Sequence, residues 1–135
     1  MAEVQQAQEQ EAVLPNGGDC FIAAANLVTA GGISQNSALN GVADVTLVHG
    51  VVTGQGPVEG IQFSHAWIEG VKDGQPVVID TSNGGCFIGP PELYYLLGNI
   101  DAEQLCRYTP QAAREKLLDH KHFGPWEGAA EQIGL

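Results

Sequence analysis

The sequence predicts an α+β domain, and three observations carry that prediction. A small, apolar run of helical character, CFIAAANLV, lies near the start. A β-rich middle holds the hairpin dipeptide Asp73-Gly74 between two apolar segments. Two helix openings follow it, Pro90-Pro91 before ELYYLLGNI and Thr109-Pro110 before QAAREKLLDH. A chain of 135 residues suits one compact domain better than two, and a hydrophobic share of 44% is enough to build its core. The expected division is a flexible or short helical segment over 1–16 and a single domain over 17–135.

Each element has a local reason. Residues 1–13 are rich in Gln and Glu and read as a short helix or a frayed tail. Pro15-Asn16-Gly17-Gly18 breaks the chain, and Asp19 is placed to cap a helix whose first residue is then Cys20. That helix runs to about Ala30 and stops at Gly31-Gly32. Asp44 to Thr53, DVTLVHGVVT, reads as a strand interrupted at Gly50. The loop GQGPVEG leads into a strand over 61–71, and Gln75–Thr81 returns after the Asp73-Gly74 turn. A strand-like QLCRYT precedes Thr109-Pro110, which supplies an N-cap and a first helical residue. The closing HFGPWEGAAEQIGL reads as irregular.

The charge narrows the possible partners. Sixteen acidic residues against five basic ones give a formal net charge of −11. Phosphate recognition needs a basic footprint, so nucleic-acid binding is excluded as an expectation. The acidity serves solubility, or a preference for basic protein partners. No apolar stretch is long enough for a membrane span, and the start MAEVQQAQEQEAV has no signal-peptide pattern, so a cytoplasmic location is expected. Cys20, Cys86 and Cys106 are odd in number and contain no CxxC pair. Free thiols fit this better than a disulfide framework or a structural zinc site. No metal or organic cofactor is implied.

Three residues in chain order, Cys20, His65 and Asp80, are the candidate catalytic set. A thiol attacks as thiolate, and the positive end of a helix favours that form at Cys20, against the opposing charge of Asp19. A histidine would have to supply much of the activation. Taken alone, Cys20 reads equally well as a small buried hydrophobe. If Asp73-Gly74 is a two-residue turn, cross-strand partners sum to 147. Alternation then places His65, Trp67, Asp80 and Ser82 on one face, and Ala66, Ile68, Ile79 and Thr81 on the other. Asp80 becomes the diagonal neighbour of His65, able to fix its tautomer and stabilise an imidazolium. The bland alternative is a polar hairpin face with an Asp ending its strand.

Other candidates sit around this set. Trp67 would shield the ion pair, wall a cleft or simply fill the core. Asn16 reads first as a turn residue in Pro-Asn-Gly-Gly, and is also a candidate oxyanion donor with the backbone N–H of Cys20. His49 is expected either buried or near the site. Cys86 lies in a Gly/Pro loop with no helix behind it, and Cys106 in a strand. His120 and His122 form a weak metal signal at a helix end, better read as charge complementing the helix dipole.

The stretch SHAWIEGVKDGQPVVIDTSNG resembles the His-strand and Asp-strand of the transglutaminase-like branch of papain-fold cysteine hydrolases. GDCFIAAANLV is similar to their Cys-bearing helix. Together these cover residues 17–30 and 61–83. The resemblance implies Cys20 as nucleophile, His65 as base and Asp80 as orienter, with a central helix packed on an antiparallel sheet. It departs from the family in size, so substrate-binding lobes would be reduced, and in reading Asp-Thr-Ser after the second strand. The whole chain, with LVHG, GQGP, HAW, ELYY and FGPW, also resembles small proteins carried by bacterial viruses, which would place it in a host cytoplasm. The expected activity is acyl transfer from an amide or thioester-type bond of a protein or peptide substrate, with basic substrates among those expected. The rival expectation is a non-catalytic acidic protein that occupies a basic surface on a host protein.

Overall fold

The computed structural model describes residues 17–29, 41–54, 59–81 and 87–133. It is an α+β arrangement of a leading helix, a five-stranded antiparallel sheet and further short helices, two of the helical segments falling between the fourth and fifth strands. Helix α1 spans Gly17–Thr29. Strands β1 (Val42–Thr53), β2 (Gln62–Lys72), β3 (Gln75–Asp80) and β4 (Phe87–Gly89) follow. Helix α2 (Pro91–Gly98) and a 3₁₀ turn (Ala102–Gln104) lead to β5 (Cys106–Tyr108), α3 (Pro110–His120) and α4 (Gly128–Ile133). The sheet order is β4-β3-β2-β1-β5.

The β2–β3 hairpin folds as its turn dictates. Asp73 and Gly74 both take positive φ, 55° and 78°, the conformation of a two-residue primed turn. Its rungs Lys72↔Gln75, Gly70↔Val77 and Ile68↔Ile79 all sum to 147. Alternation along these strands sorts the core into two layers. Ala66, Ile68 and Ile79 pack with Phe21, Ala24, Leu27 and Val28 of α1 on one face. Trp67 and Val78 pack with Val48 and Val52 on the other, beneath Tyr94, Tyr95 and Leu105.

Three local expectations are corrected. Helix α1 begins at Gly17, so Asp19 lies inside it and Cys20 is its fourth residue rather than its first. The Gly-Gly pair thus opens the helix instead of preceding it. Strand β1 runs unbroken through Gly50, and its irregularity falls between Ala43 and Thr46, where Asp44 has φ 54°. Gly50 has a packing reason instead. A Cβ there would stand 2.5 Å from Leu105 Cδ2 and 3.0 Å from Trp67 Cη2, so the missing side chain admits the indole. The closing segment is not irregular throughout: it forms α4 and seats Trp126 in the core. The Thr109 cap forms as expected, its Oγ1 accepting from the Ala112 N–H at 3.1 Å.

Among the described residues, no helix is long and apolar enough to cross a membrane.

Candidate active site

The β2–β3 ladder closes at Ile68↔Ile79. Beyond that rung the two strands are no longer paired, and the candidate residues gather there. His65 and Trp67 belong to β2, and Asp80 is the last residue of β3. Helix α1 packs across the opposite face and brings Cys20 to the same end. A narrow crevice between helix and hairpin is lined by Cys20, Ala23, Ala24, Leu27, Ile79 and Asp80, among others. Cys20 is buried within it.

His65 Nε2 and Asp80 Oδ2 are 2.9 Å apart, joining the diagonal pair by a hydrogen bond. The Cys20 side chain is the second hydrogen-bond partner of the same imidazole. The electrostatics follow from this placement. Burial alone would strip the proton from His65. The hydrogen bond to Asp80, followed by the contacts with Cys20, outweighs it and pushes the imidazole up to about 10.

Asp80 has a further partner that the sequence did not disclose. Tyr94 of α2 donates its hydroxyl to Asp80 Oδ2 at 2.6 Å, the same oxygen that faces His65. Burial first, and then the Asp80 charge, hold the Tyr94 phenol far above its ordinary range, so it remains a donor. A second network locks the neighbouring residues. Trp67 Nε1 donates to Glu69 Oε2 at 3.0 Å, and Tyr95 donates to the same oxygen. Arg107 of β5 donates to Glu69 Oε1 and to the Tyr95 hydroxyl. Trp67 is fully buried, so it stands behind His65, its ring centroid 6.0 Å from the imidazole, rather than offering an open face. The signal for Tyr94 was one of satisfiability: a carboxylate this enclosed needs more donors than one imidazole.

The remaining candidates fall elsewhere. Asn16, Ser82 and Cys86 lie outside the described residues. Cys106 is half-buried in β5, and neither it nor Cys20 is in a disulfide. The rings of His120 and His122 are 5.8 Å apart. Among the described residues no group of three or more His, Cys, Asp or Glu side chains could hold a metal ion.

His49 is fully buried on the α1 face among Phe21, Tyr108 and Trp126, at centroid distances of 4.7, 5.1 and 4.9 Å. Neither ring nitrogen has a hydrogen-bond partner. Burial therefore pushes its imidazole down to about 3, and it stays neutral in the fold. Below its ordinary 6.5 the unfolded chain binds a proton here and the folded chain does not, so stability falls as pH drops from 6.5 to 3. The slope is about 1.4 kcal/mol per pH unit for one such group. His49→Leu is expected to stabilise the fold by about 1–3 kcal/mol near neutrality, by removing two unsatisfied polar atoms. Its advantage should widen in acid. Urea denaturation at pH 4, 5 and 7 checks this; a gain that does not grow in acid would refute it.

Compared with known proteins, the chain matches no family model, no curated protein and no solved structure.

Proposed function

We propose that this protein is a cysteine-dependent acyl hydrolase or acyltransferase of the papain-like, transglutaminase-like kind. The observation that carries the reading is the single imidazole of His65 held between the Asp80 carboxylate and the Cys20 thiol. Cys20 gives its proton to His65, and the thiolate adds to an amide or thioester carbonyl carbon. The tetrahedral adduct collapses to a thioester on Cys20 and expels the amine or thiol, which leaves with the proton from His65. Water or an amine then displaces the acyl group by the reverse sequence, with His65 as base. Asp80 keeps the imidazole in the productive tautomer and balances its positive charge.

Cleavage of a peptide or isopeptide bond, or side-chain deamidation, fits better than cross-linking, since nothing in the sequence resembles a dedicated amine site. A net charge of −11 favours a protein or peptide substrate that carries basic residues. The proposed setting is a reducing cytoplasm, where Cys20 and Cys106 stay out of disulfides.

Labelling with iodoacetamide at pH 6, quantified per cysteine by peptide mass spectrometry, tests the ion pair directly. Cys20 should react at least about tenfold faster in the wild-type protein than in His65→Ala. Equal rates would remove the ground for this reading.

A further inference from the structure

Within that reading, the shared oxygen of Asp80 points to a residue that adjusts the base. Oδ2 accepts from His65 Nε2 at 2.9 Å and from the Tyr94 hydroxyl at 2.6 Å. Two donors on one oxygen compete for the same electron density. The more of it Tyr94 takes, the less Asp80 offers to hold the proton on the imidazole. We infer that Tyr94 is a positioning residue that, by donating to the oxygen shared with His65, limits how firmly Asp80 retains the imidazolium proton.

The need for such a residue follows from the burial of the pair. The side chains of His65 and Asp80 are only 11% and 14% exposed, so water screens their attraction weakly. A base held too tightly as imidazolium gives up its proton slowly to the departing amine and cannot regain a basic form for the second half of the reaction. The charged and titratable groups that bear on this centre come from four elements. Cys20 of α1 and Asp80 of β3 act on His65. Asp80, Cys20 and Glu69 of β2 act on Tyr94 of α2. Arg107 of β5 bears on Glu69 and so is one step removed.

The Tyr94 ring is held independently of its hydroxyl. It packs against Trp67 and Phe87 at centroid distances of 5.1 Å each. Tyr94→Phe therefore removes the donor and keeps the packing. The test is a pH titration of the His65 ring by NMR, with the resonance assigned by its loss in His65→Gln. In Tyr94→Phe the midpoint should rise by about one unit. An unchanged or lowered midpoint overturns the inference. Uniform 3-fluorotyrosine provides a second measurement that needs no substitution. A more acidic phenol is a stronger donor, so the His65 midpoint should fall. Tyr95 and Tyr108 donate to Glu69 and Glu127, neither of which is among the groups that shift His65. The ring titration uses no substrate and no thiol chemistry. A flat alkylation result for His65→Ala would thus sink the hydrolase reading, whereas a flat titration in Tyr94→Phe would sink only the role of Tyr94.

Discussion

Under the proposed reading, Cys20→Ala is expected to abolish acyl transfer and to leave the fold standing. Removing the nucleophile from a Cys-His-Asp set takes away all covalent catalysis, a loss of about 10⁴-fold or more in turnover. The structural effect should be small, because alanine is the strongest helix former and retains the Cβ that packs in the crevice. Burial of one sulfur atom is lost, at about 1 kcal/mol. The experiment compares wild-type and variant proteins on a panel of amide, isopeptide and thioester substrates, with thermal unfolding as the control. A third readout follows from the geometry. The contact with Cys20 helps keep His65 protonated, so the His65 titration midpoint should fall in Cys20→Ala. Turnover retained within about tenfold would mean that Cys20 is not the nucleophile. An unchanged biological effect would assign that effect to the acidic surface.

The second large effect concerns stability against pH. The His65 imidazole rises from an ordinary 6.5 to about 10 on folding. A group raised in the fold contributes fully below its unfolded value and loses that contribution as pH climbs through the folded one. Stability from this pair is therefore complete below pH 6.5 and drains away between 6.5 and 10, a change of several kcal/mol against a usual total of 5–15. His49 slopes the other way on the acid side, so these two histidines together place the maximum near pH 6.5. Asp80→Asn should lower stability at pH 6.5 by about 3–5 kcal/mol, since it leaves a buried imidazole without its counter-charge. It should also flatten the alkaline limb. Denaturant unfolding at pH 6.5, 8 and 10 decides the matter: an alkaline limb as steep in Asp80→Asn as in the wild type would show that the pair does not govern it.

The hairpin was the most legible part of the molecule. Asp73-Gly74 permits few turn geometries, and one geometry determines every partner along β2 and β3. The proximity of His65 and Asp80 followed from counting alone. The contact with Cys20 could not be counted, because alternation assigns His65 to one face of the sheet while α1 covers the other. Only the end of the ladder at Ile68↔Ile79 reconciles the two. Tyr94 was hidden for a related reason. Its position on α2 is apparent from Pro90-Pro91, but which strand that helix leans on depends on packing around Trp67 and Phe87. Gly50 misled because a glycine in a strand signals a break as readily as it signals a large neighbour overhead. The final segment misled because its helix is short and its main contribution is one indole, whose N–H donates to the His122 carbonyl at 2.9 Å.

The unpaired end of the β2–β3 hairpin has a kinetic meaning as well. His65 and Asp80 are close in sequence and joined by a tight turn, so they can meet within microseconds of chain collapse. Cys20 reaches them only after α1 docks from the far side of the sheet, closing a much longer loop. A nascent or partly folded chain would thus hold the imidazole–carboxylate pair without a thiol beside it. On this ordering, the Cys20–His65 contact on which the proposed reactivity depends is the last the chain acquires and the first that unfolding removes.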